Sequence, residues 1–444
     1  MKVTSKMPKK ANSYQLNSNT LIVISILIVV FTSHVYSIVI TSLDSSWIIP
    51  TAESIIKEGN TDLNEYMPRQ DYRIENIKGH YYTKYPIGAI VIAVPFVYLI
   101  DKILTLFLSP EISEIIKAHY YYHGEDIASV AVCRFAEILI ASLIIAVASI
   151  FIYLISRGYL NNRYSLLLTF IFAFCTSTWS TASRALWPHG PSILLLTISL
   201  YIILLSQKKP HLLQYVGLPL SFSFIVRPTN SLSIIIITTY IFLYHRKYFI
   251  KYILGTLIIT IPFLIYNFSI YHNIISPYYL DSKICLSPYF FEALSGNLVS
   301  PSRGLFIFSP VLLFSIYGLV LKSKEKPFDI LTLYIFMIII LHWIMISSRF
   351  PIWWGGHAFG QRHFSDMIPY FIYLLIPFIK KLNTLKGKIK ICLNFIFMGL
   401  IILSFFIQFK GANDWNAFLW NATPVNIDIE PKRIWDWKDI QFLR

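Results

Sequence analysis

The sequence predicts an all-α fold, a polytopic bundle of about eleven transmembrane helices, from its composition and its apolar runs. The chain has 444 residues, of which 55% are hydrophobic and 14% are charged, and its mean hydropathy is +0.59. Apolar runs of about 17–25 residues recur, and each is long enough to cross the hydrocarbon layer as a helix. Because lipid offers no hydrogen-bond partners, the backbone of these runs must be helical. Water-soluble globular classes are therefore excluded.

Basic and acidic residues are divided unequally along the chain. The net charge is +15, and 19 of the 38 Lys and Arg residues fall in the N-terminal segment and a few short loops, which hold only Glu325 and Asp329 of the 23 acidic residues. Positive charge collects on the cytoplasmic side of membrane proteins. We therefore predict a cytoplasmic N-terminus and no nucleic-acid partner. The predicted spans lie near residues 20–40, 134–155, 164–181, 190–206, 211–226, 229–244, 252–270, 305–321, 328–347, 366–379 and 391–408.

Residues 87–108 form an apolar run for which length and charge favour different placements relative to the membrane. The run is long enough to span, but a span here would invert every later loop and place the lysine-rich loops outside. Pro95, Asp101 and Lys102 also interrupt it. We predict an in-plane or re-entrant element on the outer side. A compensating extra span near 109–131 is the alternative.

The predicted organisation is one transmembrane domain, residues 1–408, followed by a short extracytoplasmic tail, residues 409–444. The first outer loop, residues 41–133, contains SSWIIPTAESIIKEG, in which Pro50 suits a first helical turn and Gly59 a C-terminal cap. The spacing predicts an amphipathic helix lying in the membrane plane. Its apolar face consists of Ile48, Ala52, Ile55 and Ile56, while Glu53, Lys57 and Glu58 fall elsewhere.

Asp44 follows the first predicted span almost directly. A carboxylate at a membrane boundary is costly unless it is paired or functional. Asp44 can act as a general base that takes a proton from an acceptor hydroxyl. The alternative is a helix N-cap, a position that Asp fills well.

Four polar and aromatic clusters lie in the predicted outer loops: GHYYTKYP (79–86), SRALWPHG (183–190), NLVSPSRG (297–304) and WWGGHAFGQRH (353–363). Their cationic side chains can contact a phosphate, and their rings can pack on a sugar or a lipid. The alternative for each is a plain interfacial loop with aromatic and basic anchors. Arg227 lies outside these clusters, and we interpret it as an interfacial anchor of the same kind. The last cluster is the densest, and its three glycines allow close approach of the backbone.

Patterns for nucleotide and metal chemistry are missing from the sequence. There is no P-loop, no GxGxxG before a helix, no nucleophile elbow and no HExxH. Cys133, Cys175, Cys285 and Cys392 stand alone and are interpreted as buried thiols. We predict no certain cofactor and no metal ligands, because His357 and His363 lack a third ligand nearby.

These residues together resemble the GT-C superfamily of membrane glycosyltransferases, which includes protein mannosyltransferases and aminoarabinose lipid A transferases. Asp44 stands where that superfamily has a catalytic aspartate, and Lys84-Tyr85-Pro86 resembles its Lys-Pro-Pro element, which meets the donor phosphate. Arg134 resembles the arginine that opens the second span. Residues 300–313 and 353–364 are similar to strips in bacterial members. Two positions differ: the common Asp-Glu pair is Asp44-Ser45, and the second proline is Ile87.

The resemblance implies a sugar donor on polyprenyl phosphate, a site facing away from the cytoplasm and a bacterial plasma (inner) membrane. The partners would be the donor, membrane lipids and a glycan, lipid or protein acceptor. A divalent metal stays possible, although one carboxylate is a poor Mg²⁺ site. The expected site comprises catalytic Asp44; donor- and phosphate-binding Lys84, Tyr85, Arg134, Arg184, His189, Arg303 and Arg362; and substrate-binding Trp47, Tyr82, Trp354, His357 and His363.

Two other functions fit part of the sequence. A transporter or flippase for lipid-linked sugars would place polar residues at mid-membrane and show internal repeats. A non-catalytic binder would tolerate changes at Asp44 and Arg362. The polar residues concentrate at the outer edge of the predicted spans, which favours surface chemistry over passage.

Overall fold

The computed structural model describes residues 18–41, 44–66, 71–107, 127–276, 278, 288–325, 327–348 and 352–444, without the side chains of residues 18, 104 and 127–135. Their backbone is mainly helical. The α-helices are α1 (Ser18–Val35), α2 (Ile48–Lys57), α3 (Gly88–Phe107), α4 (Ile127–Arg157), α5 (Asn162–Phe174), α6 (His189–Ser206), α7 (Gly217–Val226), α8 (Ser231–Tyr244), α9 (Arg246–Tyr271), α10 (Phe290–Val299), α11 (Leu305–Phe308), α12 (Leu313–Ser323), α13 (Ile330–Ser348), α14 (Ile368–Thr384), α15 (Gly387–Asn413) and α16 (Trp415–Leu419).

In the part of the chain that the structure describes, six helical segments are long and apolar enough to cross a membrane: α3, residues 136–157 of α4, α6, α9, α13 and α15. Shorter apolar helices lie between them. Each of the eleven predicted spans coincides with a helical segment, so the prediction of a polytopic α-helical membrane protein is confirmed.

Several predicted spans change helix type within their length. Residues 305–321 divide into α11, a short 3₁₀ turn at Pro310–Leu312 and α12, because Pro310 has no N–H to continue the helix. Residues 164–181 divide into α5 and a π-helical turn at Thr178–Ala182. There the hydroxyl of Thr176 donates to the carbonyl of Phe172 at 2.6 Å, which competes with the regular ladder.

The core of the bundle surrounds α14. Almost every side chain from Ile368 to Ile379 is buried, against α4, α5, α6 and α12. Gly318 allows α12 to approach the backbone of α14 at Leu374, where a Cβ atom would collide with the carbonyl oxygen. Close helix packing of this kind uses small residues, as is typical of membrane bundles.

The first outer loop contains the predicted helix α2, and its cap is confirmed. Gly59 has φ +70° and its N–H donates to the carbonyl of Ser54 at 3.1 Å. The predicted apolar face packs against α3 and α4, so protein covers it. Glu53, expected on the polar face, is instead buried, where it pairs with Lys57 and accepts a hydrogen bond from Tyr66 at 2.9 Å.

A β-hairpin follows α2, and the sequence patterns did not predict this hairpin. Strand β1 (Ile74–Ile77) pairs antiparallel with β2 (His80–Thr83), with Ile77 opposite His80. Lys78 and Gly79 form the turn with φ of 53° and 90°, the left-handed conformation of a tight hairpin turn. Lys84 and Tyr85 follow directly after the end of β2.

Helix α3 covers the run for which we predicted an in-plane or re-entrant element. Its first half packs against α2 and against residues 136–144 of α4, and Gly88 lies against the backbone of Val226 at the end of α7. It meets the length and composition of a span. Its orientation relative to the membrane stays a prediction, and the proposed alternative span near 109–131 lies largely outside the described residues.

Candidate active site

A cavity of about 410 Å³ opens at one end of the bundle. Loops that follow α1, α7 and the hairpin line it, together with the loops that precede α6 and α14. The polar and aromatic lining residues are Asp44, Tyr85, Trp187, His189, Arg227, Tyr278, Arg362 and His363. The cavity therefore gathers side chains that are more than 300 positions apart in sequence, at the end where α6 begins and α7 finishes.

Asp44 lies in the turn immediately before α2, but it does not cap that helix. The N-cap of α2 is Trp47, and no side chain hydrogen bonds to the helix there. Asp44 instead accepts a hydrogen bond from Tyr72 at 3.5 Å and lies 4.0 Å from Arg362, measured from Oδ2 to Nη1. Burial and the Asp44 carboxylate raise the pKa of Tyr85, so that Tyr85 keeps its proton and donates to Asp44.

Arg362 is oriented by an aromatic face and by a glycine. Its guanidinium lies 4.6 Å from the ring centroid of Trp187, which is cation–π distance. Gly355 has φ +78°, and a Cβ atom on it would lie 3.0 Å from Nε of Arg362. The predicted close approach of the glycine-rich loop is therefore confirmed at Gly355.

A buried ion pair lies beside these groups. Arg227 pairs with Asp366, a carboxylate with no exposed surface. Nη2 of Arg227 lies 3.5 Å from Nδ1 of His363, and Nδ1 of His189 lies 3.9 Å from the same carboxylate. Two charged and two imidazole side chains thus form a compact network at the cavity, in which Arg227, His189 and His363 line the cavity and Asp366 lies behind them.

Five of the predicted site residues line the cavity: Asp44, Tyr85, His189, Arg362 and His363. Arg184 does not join them. It is fully buried and donates to the carbonyls of Ser37 at 2.8 Å, Trp179 at 3.1 Å and His34. These contacts satisfy buried carbonyls at the end of α1, in the segment after it and in the π-helical turn, which explains an arginine here without a ligand.

Arg303, Trp354 and His357 also lie outside the cavity lining, in contact with the folded C-terminal tail. Arg303 is fully buried, and burial lowers its pKa to about 9. It donates to the carbonyls of Trp354 at 2.9 Å and Gly356 at 3.1 Å and to the tail residue Gln441 at 2.8 Å. Trp354 donates to Asp428 at 2.8 Å, and His357 lies 3.8 Å from the same tail carboxylate.

The other predicted residues have different surroundings. Trp47 is buried and its indole donates to Asp71 at 2.9 Å, beneath the hairpin. Tyr82 lies on β2 with its ring 6.4 Å from that of His80, away from the cavity. Lys84 is exposed one residue before the lining residue Tyr85. The side chain of Arg134 lies outside the described residues.

The predicted site includes neither Asp366 nor Trp187, and Arg227 was interpreted as an interfacial anchor. Asp366 opens an apolar run, and a lone carboxylate at that position is a signal for a paired or functional group. The described residues hold no group of three or more His, Cys, Asp or Glu side chains placed to bind a metal ion.

Comparisons with known proteins bear on the fold. No family model and no curated sequence matches the chain. The structure of ArnT from Cupriavidus metallidurans bound to undecaprenyl phosphate is 11% identical, with a TM-score of 0.51 over 95% of this chain and 74% of that chain. The apo oligosaccharyltransferase of Archaeoglobus fulgidus is 9% identical, with a TM-score of 0.53 over 93% of this chain and 60% of that chain.

The chain has the GT-C fold. Together with the apolar helices, this makes it an integral membrane protein. A fold hosts more than one function, so the reaction of this chain has to follow from its site residues.

Proposed function

We propose that this chain is a membrane glycosyltransferase that moves a sugar from a polyprenyl phosphate donor to an acceptor hydroxyl. The observation that carries the proposal is the pairing of Asp44 with Arg362, 4.0 Å apart in one cavity of a GT-C fold. A carboxylate beside a guanidinium supplies the base and the anion site that such a transfer needs. The undecaprenyl phosphate in the ArnT structure supports polyprenyl phosphate as the carrier.

Asp44 is the proposed general base. Its carboxylate takes the proton of the acceptor hydroxyl, and the acceptor oxygen attacks the anomeric carbon of the donor sugar. The bond between that carbon and the phosphate oxygen breaks, and its electron pair stays on the phosphate. One in-line displacement of this kind inverts the anomeric centre.

Arg362 is the proposed stabiliser of the departing phosphate. Its planar guanidinium matches a phosphate in a two-point contact, and Trp187 and Gly355 fix its orientation. Lys84 adds a positive charge at the exposed rim, beside Tyr85. His189 and His363 give the cavity polar walls for a sugar ring.

The charge distribution supports an extracytoplasmic cavity. Helices that begin at or just after the cavity lining carry basic residues at their opposite ends, for example Lys208 after α6 and Lys381 on α14. The positive-inside rule assigns those ends to the cytoplasm. The donor sugar would therefore be used on the outer face, and the short tail would cap that face.

The proposal is tested with purified protein in nanodiscs, using labelled sugars on polyprenyl monophosphate and membrane extract as acceptor. We expect label to appear in the acceptor and free polyprenyl phosphate to accumulate. In parallel proteoliposomes, a transporter would move intact donor between leaflets without breaking the sugar–phosphate bond. A donor that is bound or moved but never cleaved, with several extracts, would contradict the glycosyltransferase assignment.

A further inference from the structure

The ion pair between Arg227 and Asp366 lies at the edge of the cavity, with Arg227 in the lining and Asp366 behind it, and the proposed reaction does not use it. Asp366 has no exposed surface and Arg227 is 8% exposed. The two residues come from distant parts of the chain, one directly after α7 and the other in the 3₁₀ turn before α14. Their meeting therefore depends on the whole bundle being assembled.

Stability alone does not explain a buried pair. Removing two charges from water costs about as much as their attraction returns, and a well-packed apolar pair is often equally stable. In a membrane protein the same space is filled readily by Leu or Ile. A buried charged pair of which one member lines a ligand-sized cavity is therefore a candidate for function.

The geometry keeps the arginine at the cavity. Arg227 is one of the lining residues, whereas Asp366 lies behind the lining. His363 approaches the guanidinium at 3.5 Å, and the carbonyl of His363 is itself held by His342 at 2.9 Å. The turn that carries Asp366 is fixed further by a 2.9 Å hydrogen bond between Ser177 and Ser365.

We propose that Arg227 is a second cation for the donor phosphate and that Asp366 is the positioning residue that orients its guanidinium. This inference rests on the proposed function. Arg362 and Arg227 line the same cavity, so a phosphate there meets one arginine oriented by Trp187 and one oriented by Asp366. Two fixed guanidinium groups share the charge that grows on the phosphate as the sugar leaves.

The experiment measures binding of undecaprenyl phosphate and sugar transfer by purified Arg227→Lys and Asp366→Asn. Arg227→Lys keeps the charge but loses the planar fork, and we expect roughly tenfold weaker binding of undecaprenyl phosphate. Asp366→Asn should raise KM for the donor and leave KM for the acceptor unchanged. The matched controls are Arg246→Lys and Asp436→Asn, which change exposed residues and should match wild type in both assays.

The double variant Arg227→Met/Asp366→Met distinguishes a folding defect from a loss of phosphate binding. It removes both charges and leaves no unpaired buried ion. We expect this variant to fold, as judged by its thermal unfolding in detergent, and to bind undecaprenyl phosphate poorly. Normal binding and normal donor KM in any folded variant at these two positions would overturn the inference. If wild type itself neither binds undecaprenyl phosphate nor transfers sugar, the proposed function fails first and this inference fails with it.

Discussion

Asp44 and Arg362 lie 4.0 Å apart, carboxylate oxygen to guanidinium nitrogen, although 317 positions of sequence separate them. Neither residue belongs to a regular helix: Asp44 lies in the turn before α2, and Arg362 opens the 3₁₀ turn before α14. A rigid bundle brings two loops together here. The predictions below follow from that pairing and from the elements that hold each partner.

Replacing Trp187 with Leu should weaken donor binding without unfolding the protein. The Trp187 ring lies against the Arg362 guanidinium at 4.6 Å. Loss of a cation–π contact of about 0.5–2 kcal/mol predicts about two- to thirtyfold weaker binding of undecaprenyl phosphate. Titration of the purified variant checks this, with Trp437→Leu on the exposed tail as control. Unchanged affinity in Trp187→Leu would remove the ring from the phosphate site.

Replacing Arg303 with Lys should lower stability and leave donor affinity in the folded fraction unchanged. Arg303 donates to backbone and side-chain oxygens from three parts of the chain, and a lysine ammonium cannot reach them together. Losing hydrogen bonds to a buried charged group costs about 1.5–3 kcal/mol each. Thermal unfolding in detergent and donor titration separate the two effects, beside Arg163→Lys. A specific loss of donor affinity at normal stability would contradict this prediction and show that Arg303 contributes to the phosphate site.

Replacing Gln441 with Ala should reduce transfer through the loop that carries Arg362. The amide of Gln441 donates to the carbonyls of Ala358 at 2.9 Å and Ala417 at 3.1 Å, and its oxygen accepts from Gly360 at 3.3 Å. The tail thereby fixes the loop just before Arg362. We expect lower kcat with unchanged helical content by circular dichroism. Gln207→Ala, at the opposite end of the bundle, is the control, and full activity in Gln441→Ala would show that the tail does not position the loop.

Chelation of divalent metal should leave transfer unchanged. Arg362 faces Asp44 and Arg227 pairs with Asp366, so arginines stand where a metal would balance the carboxylates. Among the residues that the structure describes, no three ligand-type side chains converge. Transfer by purified protein is measured with EDTA and again after adding Mg²⁺ or Mn²⁺. Activity that disappears with EDTA and returns with metal would contradict this prediction.

The fold was readable from the sequence because its signals are local. Apolar run length identifies the helices, and Gly59 marks the end of α2 through its own backbone conformation. The β-hairpin was not predicted because its two strands have only four residues each and show no strong alternation of apolar and polar residues. Its turn residues, Lys78 and Gly79, were the available signal.

The site was only partly predictable, because burial is not a local property. Arg184 and Arg362 both stand in aromatic outer loops, and the sequence offers no distinction between them. The structure encloses Arg184 among backbone carbonyls and leaves Arg362 in the cavity. Asp366 is the opposite case. Its carboxylate pairs with Arg227 beside the cavity, but its apolar sequence context kept it out of the predicted site.

The central claim is that Asp44 removes a proton from the acceptor, and one paired measurement on Asp44→Asn tests it most directly. Purified wild type and Asp44→Asn are compared for binding of undecaprenyl phosphate and for transfer of labelled sugar from polyprenyl phosphate. The proposal predicts equal binding and a loss of transfer of about 10²–10⁴-fold, the usual contribution of a general base. Equal binding with equal transfer would contradict it, because the reaction would then proceed without the Asp44 carboxylate.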